Sequence, residues 1–121
     1  MHVYSFEKLD VWMEARQFVK WIYLHTASFP TEEKFGLIMQ LRRATISIVS
    51  NLAEGSSRQS SKDQAHFSQI AYGSTIEVLT QLILANDLGF LDDKLLIEGR
   101  HLLESLTFKI AALRKSQIAK I

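Results

Sequence analysis

The stretch QLRRATISIVSNLAEGSSR, from Gln40 to Arg58, contains the pattern that decides the fold. Its polar residues recur at steps of three or four, which places them on one face of a single helix. This polar stripe consists of Gln40, Arg43, Ser47, Asn51 and Glu54. The residues between them are mostly apolar, so the same helix must also contribute to a hydrophobic core.

The composition favours a single all-α domain. The 121 residues are enough for one packed core but too few for a core and a second independent domain. Hydrophobic residues make up 47%, which is typical of a globular chain, and one proline with five glycines favours helices over a turn-rich β fold. The chain has no cysteine, which excludes disulfides, thiolate catalysis and Cys-ligated zinc.

The same features predict a cytoplasmic protein without a membrane partner. The first residues, MHVYSFEKLDVW, lack the basic start and the apolar run of a signal peptide. No apolar run approaches the length of about 18 residues that a membrane span requires. The absence of cysteine fits a reducing compartment.

Start and stop signals divide the first half of the chain into two predicted helices. The first covers about residues 6–27 and ends before Pro30, which disfavours helical backbone at the residue preceding it. The second covers about residues 33–54, with Thr31 as its predicted cap and Gly55 at its end.

The third predicted helix begins with a capping box, in which Ser61 is followed three residues later by Gln64. It extends to about residue 88, and Gly89 is its predicted stop. Its core-facing stripe includes Ile70.

The fourth predicted helix is capped by Asp92 or Asp93 and runs to about residue 116, with Phe108 flanking its core-facing stripe. The connections between the helices are short, so consecutive helices should be antiparallel neighbours. The sequence therefore predicts an all-α fold, an antiparallel up-and-down four-helix bundle, in which residues 1–121 form one domain.

The first helix has more apolar surface than one bundle face needs. One stripe consists of Val11, Ala15, Phe18 and Ile22. A second stripe, about 100° away around the helix, consists of Leu9, Trp12, Val19 and Tyr23. Because large exposed apolar patches usually mark interfaces, we expect Trp12, Val19 and Tyr23 to form the interface of a homo-oligomer. One very broad buried face is the alternative.

Three interpretations compete for the polar stripe of the second helix. A catalytic row would use Glu54 as a base and Arg43 as an anion-binding group, but the sequence offers no matching nucleophile pattern or glycine-rich phosphate loop. A di-iron site needs two Glu-x-x-His pairs, and Glu98 with His101 is the single match. We therefore expect no enzyme activity, no cofactor and no metal.

The third interpretation is a structural polar network between the second and third helices. The third helix carries a matching polar set in YGSTIEVLTQ, and Gly73 would allow a close approach between helices. The predicted network consists of Gln40, Arg43, Ser47, Asn51, Glu54, Ser74 and Glu77. Within it, we expect a buried ion pair between Arg43 and Glu77. Because stranding one buried charge costs about 3–5 kcal/mol, Glu77→Ala should destabilise more than the double change with Arg43→Ala.

Cationic residues cluster near the end of a nearly neutral chain. The formal net charge is +1, and the chain after Glu104 has four cations and no acid. The candidate nucleic-acid contacts are Arg42, Arg58, Lys62, Arg114 and Lys115. The alternative for each is ordinary solvated surface charge.

Four segments also carry a resemblance to a known family. They are FEKLDVW, FPTEEKFGLIMQLRRATISIVSNLAEGSSR, AYGSTIEVLTQL and NDLGFLDD, and the likeness extends from about Phe6 to Leu113. Its most specific parts are QLRRA at 40–44, Ser47, NLAEG at 51–55, and Gly73-Ser74 with Glu77. Together these segments resemble the four-helix-bundle proteins of the 23S ribosomal-RNA intervening-sequence family.

The resemblance implies an up-and-down bundle that assembles as a ring, with a pentamer known in the family, and no established catalytic residues. Members are encoded within intervening sequences of bacterial ribosomal RNA genes, and many others are stand-alone bacterial proteins. A related branch comprises the accessory variability proteins of retroelements, which are basic pentamers that bind nucleic acid and a reverse transcriptase. The charge of +1 per chain predicts weaker nonspecific nucleic-acid binding here, because counterion release scales with the phosphates neutralised.

The sequence thus predicts a non-enzymatic, homo-oligomeric helical scaffold or adaptor. The expected partners are further copies of the chain, in a pentamer by the resemblance, together with RNA or DNA or an RNA-processing protein. The alternative is a protein–protein adaptor without nucleic-acid affinity, whose working surface is apolar or mixed. A third class, a small-molecule binder or enzyme with a cavity in the bundle, has no specific support in the sequence.

Overall fold

Four long helices make up most of the chain, and the computed structural model describes all 121 residues. Helix α1 spans Asp10–Thr26, α2 spans Leu37–Ser56, α3 spans Ser61–Asp87 and α4 spans Asp93–Ile118. Two short 3₁₀ helices, Ser5–Lys8 and Thr31–Glu33, precede α1 and α2. None of the helices has the combination of length and apolar character needed to cross a membrane. The predicted all-α fold with four helices is confirmed.

Successive helices run antiparallel, because contacts between neighbours join rising residue numbers on one helix to falling numbers on the next. Between α2 and α3 these contacts are Gln40 with Gln81, Ser47 with Ser74, and Gly55 with Phe67. Between α3 and α4, the Ser68 hydroxyl donates to Gln117 Oε1 at 2.7 Å in the interior. Helix α1 packs against both α2 and α4 and closes the predicted up-and-down bundle.

Helix α3 contributes small or polar residues to the interior, whereas the other three helices contribute larger apolar ones. The buried residues of α3 are Ala65, Ser68, Ala71, Ser74, Thr75, Val78, Gln81, Leu82 and Ala85. They meet large buried side chains that include Phe18, Ile22, Leu41, Ile48, Leu103, Leu106 and Ile110. The short side chains of α3 allow its two neighbours to lie close to it.

Two apolar residues that the sequence pattern assigned to the core stripes face outward. Ile70 is 38% exposed, because it lies at the edge of the buried face of α3, about 100° around the helix from the fully buried Ala71. Phe108 is 77% exposed, since it lies two residues from both Leu106 and Ile110 and therefore about 200° around the helix from them. The expectation that both residues belong to the core is wrong.

The start of α2 differs from the prediction because of Gly36. The residues from Thr31 to Glu33 form a 3₁₀ helix, and α2 begins only at Leu37. The Glu33 carboxylate accepts a hydrogen bond from the Leu37 backbone N–H at 3.1 Å. A Cβ atom on Gly36 would lie 2.7 Å from that carboxylate oxygen, so the glycine makes room for it. Glu33 therefore caps α2 in place of Thr31, with a charge that suits the positive end of the helix dipole.

The start of α3 is displaced by one residue from the predicted capping box. Ser60, rather than Ser61, accepts the hydrogen bond from the Asp63 backbone N–H, at 3.1 Å. The Gln64 side chain donates instead to the Arg58 carbonyl at 2.9 Å. The predicted stop at Gly89 is confirmed, because this residue adopts a φ of 81°, which favours glycine.

The cap of α4 agrees with the first of its two predicted candidates. Asp92 accepts from the Leu95 backbone N–H at 2.8 Å. Asp93 has a different role, because its carboxylate accepts from the Asn86 side chain at 2.8 Å and so connects the ends of α3 and α4.

Arg42 holds the C-terminal end of α1. Its Nε donates to the Thr26 hydroxyl oxygen at 3.1 Å, and its Nη2 donates to the Tyr23 carbonyl at 3.4 Å. Its guanidinium carbon lies 4.3 Å from the centroid of the Tyr23 ring. A cation at this position satisfies a carbonyl that the helix leaves unpaired and complements the negative end of its dipole.

Glycines allow close approach at two places, neither of which is Gly73. A Cβ on Gly55 would lie 2.9 Å from the Phe67 Cβ, and a Cβ on Gly99 would lie 2.8 Å from the edge of the Trp21 ring. Gly73 is exposed, and nothing lies within 4 Å of the position that its Cβ would occupy. The expectation that Gly73 brings α2 and α3 together is therefore wrong within one chain.

The glycine geometry predicts opposite effects for two identical substitutions. Gly55→Ala should lower the free energy of unfolding by about 1–3 kcal/mol, because the new methyl group overlaps a Cβ that is fixed to the α3 backbone. Gly73→Ala should raise it by about 0.5–1 kcal/mol, because alanine in an exposed helix loses less backbone entropy on folding. Urea unfolding of dilute protein measures both, and equal effects would contradict the assignment.

Arg42 and Arg43 provide a second matched pair. Arg42→Ala should destabilise the fold by about 1–3 kcal/mol, because it removes hydrogen bonds made by a charged group at the end of α1. Arg43→Ala should change stability by no more than about 0.5 kcal/mol, because its side chain is exposed and makes no hydrogen bond within the chain. Thermal unfolding in dilute protein compares the two, and a small effect of Arg42→Ala would exclude the capping role.

Candidate interaction surfaces

The first three residues of the predicted polar stripe of α2 line an open groove of about 450 Å³ between α2 and α3, whereas Asn51 and Glu54 lie outside it. This polar groove is lined by Met39, Gln40, Arg43, Ala44, Ser47, Ser74 and Glu77. Five of these residues belong to the predicted network, so the antiparallel packing does bring the polar residues of the two helices together. The groove lies at the surface rather than in the core.

Hydrogen bonds join the members of the network that lie deepest between the helices. The hydroxyl oxygens of Ser47 and Ser74 lie 3.0 Å apart. Asn51 Nδ2 donates to the Ser47 carbonyl at 2.8 Å and to its hydroxyl oxygen at 3.0 Å. Gln40 accepts from the buried Gln81 side chain at 3.3 Å. Short polar side chains therefore connect α2 to α3 without any charged group in the interior.

The charged members of the predicted network behave differently. Two ion pairs form in the structure, Glu54 with Arg58 at 2.7 Å and Glu14 with Lys109 at 2.6 Å. Arg43 and Glu77 are exposed and do not pair with each other, so the expected buried ion pair between them is absent. The physical reason is hydration, because charges on the exposed rim stay solvated, whereas burying them as a pair would remove that hydration. Glu77→Ala therefore strands no buried charge.

A second groove, of about 430 Å³, lies between α3 and the last turns of α4. This basic groove is lined by Gln69, Tyr72, Ala111, Arg114, Lys115 and Ile118. Arg114 Nη2 donates to Gln69 Oε1 at 3.3 Å, while its Nε is buried and has no hydrogen-bond partner. Lys115 is exposed. The groove thus combines two cations, one amide and an aromatic ring.

The other three candidate nucleic-acid contacts lie outside this groove. Arg42 donates hydrogen bonds to Thr26 and Tyr23 at the end of α1. Arg58 pairs with Glu54 at 2.7 Å, and its guanidinium carbon lies 4.6 Å from the centroid of the Phe67 ring. Lys62 is exposed in the first turn of α3, seven residues before Gln69, which is roughly 10 Å along the helix. Of the five candidates, the structure therefore brings together Arg114 and Lys115, with Lys62 near the same end of the bundle.

Charge is distributed unevenly between the two ends of the bundle. At the end formed by residues 1–10, 54–66 and 111–121, six lysines and arginines outnumber four acids. At the opposite end, formed by residues 24–40 and 84–98, six acids outnumber two lysines. The basic groove lies at the more positive end, so the molecule is electrostatically polar although its net charge is +1.

The second apolar stripe of α1 is less open than the sequence suggested. Phe6 packs edge-on against Trp12, with 5.0 Å between the ring centroids, and the Trp12 Nε1 is buried without a partner. Val19 is half-buried. Tyr23 is 39% exposed and lies beneath the Arg42 guanidinium. Residues of the same chain thus cover part of this stripe, and self-association through it stays a prediction.

The seam between α1 and α4 contains the residue that suggested a metal site. Glu98 accepts a hydrogen bond from Trp21 Nε1 at 2.8 Å, which gives it a structural role beside Gly99. No group of three or more histidine, aspartate or glutamate side chains is arranged to hold a metal ion. In the same seam, the hydrogen bond from Lys109 to Glu14 and the charge of Glu14 raise the pKa of Lys109 above its usual range.

Sequence reasoning missed Gln69 and Tyr72 as members of the basic groove, and it missed the buried contact between Ser68 and Gln117. These residues become neighbours through the register of α3 against α4, and that register depends on side-chain packing in three dimensions. Once Gln117 is placed opposite Ser68, the antiparallel arrangement puts Arg114 beside Gln69.

Comparison with known proteins identifies the family of the chain. No curated protein gives a significant match. The family model described as 23S rRNA-intervening sequence protein matches residues 7–112. This range includes the whole polar groove, whereas Arg114 and Lys115 lie just beyond it. Because the match covers most of the 121 residues and agrees with the four-helix architecture, the chain belongs to the 23S rRNA-intervening sequence protein family.

Proposed function

We propose that this protein is a non-enzymatic, homo-oligomeric helical scaffold that binds RNA through its basic groove. The proposal rests on the presence of Arg114, Lys115 and the Tyr72 ring in the lining of one open groove. Cations bind the phosphates of a nucleic acid, and an aromatic ring can stack with an unpaired base.

The state of Arg114 supports an anionic ligand. Its Nη2 donates to Gln69 Oε1 at 3.3 Å, which holds the half-buried side chain at the wall of the basic groove. A guanidinium that is already positioned loses little conformational entropy when it binds a phosphate. Lys115 adds a second, mobile cation on the same side.

The charge distribution also favours binding at one end. The acidic end formed by residues 24–40 and 84–98 repels phosphate, whereas the opposite end attracts it. A single groove with two cations binds weakly, because affinity for nucleic acid grows with the number of phosphates neutralised. Several copies in one assembly would present several grooves to the same RNA, and the ring of five implied by the family resemblance is part of this proposal.

The test is fluorescence anisotropy of a labelled RNA hairpin with a single-stranded loop, titrated with protein at several salt concentrations. We expect the logarithm of the association constant to fall linearly with the logarithm of salt concentration. Arg114→Ala and Lys115→Ala should each raise the Kd and reduce the salt slope by about one. Tyr72→Leu should raise the Kd and leave the slope unchanged, because it removes stacking but no charge.

Lys94→Ala is the matched control, because it removes an exposed lysine at the acidic end and should leave RNA binding unchanged. Circular dichroism establishes that each variant remains folded. Absence of RNA binding at low salt, or equal weakening by Lys94→Ala and Lys115→Ala, would reject the basic groove as an RNA site.

A second candidate function, a protein adaptor without nucleic-acid affinity, has its own structural support. The outer side of α4 exposes Ile97 at 67% and Phe108 at 77%. Aromatic residues are enriched at protein interfaces, and exposed apolar patches often mark them. If the RNA titration is negative, a discrete protein partner that stays bound after nuclease treatment and is released by Phe108→Ser would favour this function.

A further inference from the structure

A cavity of about 310 Å³ opens between α1 and α4 and shares no lining residue with the basic groove. The lining of this α1–α4 cavity includes four apolar residues and two acids, namely Phe18, Trp21, Leu102, Leu106, Glu14 and Glu98. Phe18 and Leu106 are almost completely buried, so they form the floor of the cavity. The proposed RNA contact uses none of these side chains.

Two hydrogen bonds cross the seam between α1 and α4, one at each end of the cavity. Trp21 Nε1 donates to Glu98 Oε1 at 2.8 Å, and Lys109 Nζ donates to Glu14 Oε2 at 2.6 Å. Trp21 follows Glu14 by seven residues on α1, so the two bonds lie about 10 Å apart along the helix. The cavity is therefore an apolar trough with a carboxylate at each end.

Each of these carboxylates keeps an oxygen for a further hydrogen bond. Glu98 uses Oε1 for Trp21, and Glu14 uses Oε2 for Lys109. The second oxygen of each carboxylate accepts no hydrogen bond within the chain, although both oxygens of an ionised carboxylate are acceptors. The bonds that already exist hold the two side chains in place, which reduces the entropy lost when a ligand binds to them.

The charges around the cavity favour a cation at each end. Glu14 raises the pKa of Lys109, through a hydrogen bond and through its charge, and the charge of Asp10 adds to this effect. Lys109 therefore neutralises one of the two acids at its end of the cavity. Glu98, at the other end, belongs to no ion pair. By this count each end retains one negative charge, while the floor between them is apolar.

We propose that the α1–α4 cavity binds an aliphatic diamine. One ammonium group donates to Glu98 and the other to Glu14, while the methylene chain lies against Phe18, Leu102 and Leu106. Because a hydrogen bond from an ammonium to a carboxylate measures about 2.8 Å, a chain of about four or five methylene groups spans the separation of roughly 10 Å. This binding requires no RNA, so it goes beyond the proposed function.

Isothermal titration calorimetry of the protein with putrescine, a diamine of four carbons, tests the proposal in the absence of RNA. We expect saturable binding at one site per chain, weakened by added salt. Butylamine has one ammonium group and butanediol has none, so each should bind at least about tenfold more weakly, since a charge-assisted hydrogen bond is lost. Ethylenediamine carries both charges but is too short to reach both carboxylates, and it should also bind more weakly.

Substitutions at the two ends of the cavity have opposite expected effects on the Kd for putrescine. Glu98→Gln keeps an acceptor for Trp21 Nε1 but removes the charge, so it should raise the Kd about tenfold. Lys109→Ala should lower the Kd, because it removes the internal cation that competes for Glu14. Glu104→Gln is the matched control, since it neutralises an exposed acid of α4 outside the cavity and should leave the Kd unchanged.

Heteronuclear NMR locates the bound diamine through the two tryptophans of the chain. The indole N–H signal of Trp21 should shift as putrescine is added, because this group donates to Glu98. The indole N–H signal of Trp12 should stay in place, since Trp12 packs against Phe6 outside the cavity. Circular dichroism establishes that each variant remains folded.

Three results would overturn the diamine site. They are absence of saturable putrescine binding at low salt, butylamine binding as tightly as putrescine, and equal weakening by Glu98→Gln and Glu104→Gln. A higher Kd for Lys109→Ala would also contradict it, because it would mean that Lys109 does not compete with the ligand. None of these results bears on RNA binding at the basic groove, which the RNA titration judges separately.

Discussion

The close packing of α3 against its neighbours is the constraint on which the rest of the structure depends. The interior side of α3 consists largely of alanine, serine and threonine, and the Phe67 Cβ lies so close to Gly55 of α2 that a Cβ on Gly55 would overlap it. Hydrogen bonds between Ser47 and Ser74, and between Ser68 and Gln117, join α3 to both flanking helices. These bonds satisfy polar groups that would otherwise be buried without partners.

This packing decides what reaches the surface. The seam between α2 and α3 contains neutral polar groups such as Ser47, Ser74 and Gln81, whereas Arg43 and Glu77 remain exposed on its rim. The interior then needs no buried ion pair, whose desolvation would offset most of its attraction. The outer surface instead carries charged and aliphatic groups that are available to other molecules.

The proposed scaffold role needs binding surfaces, and the bundle offers two separate grooves. The basic groove lies between α3 and the last turns of α4, whereas the polar groove lies between α2 and α3. The two grooves share no lining residue, so a ligand bound in one leaves the side chains of the other free.

The sequence by itself determined the helices and their order, because these depend on local signals. The spacing of polar and apolar residues between Gln40 and Glu54, the stop at Gly89 and the cap at Asp92 act within a few residues. The start of α3 is harder to predict from sequence, because Ser60 and Ser61 are adjacent and chemically identical. Only the three-dimensional structure shows that Ser60 accepts the capping hydrogen bond. Glu33 can cap α2 because Gly36 leaves space for its carboxylate, and helix propensities do not describe such space.

The tertiary structure alone decided the roles of the arginines on α2. Arg42 and Arg43 are neighbours in sequence, yet one holds the end of α1 and the other remains free, because they point about 100° apart toward different helices. Likewise, Ile70 fits the apolar period of α3 but is 38% exposed, because the packing of the neighbouring helices leaves it at the edge of the buried face. Helical period specifies direction around one axis, whereas the separation and register of two axes arise from the packing of all the side chains between them.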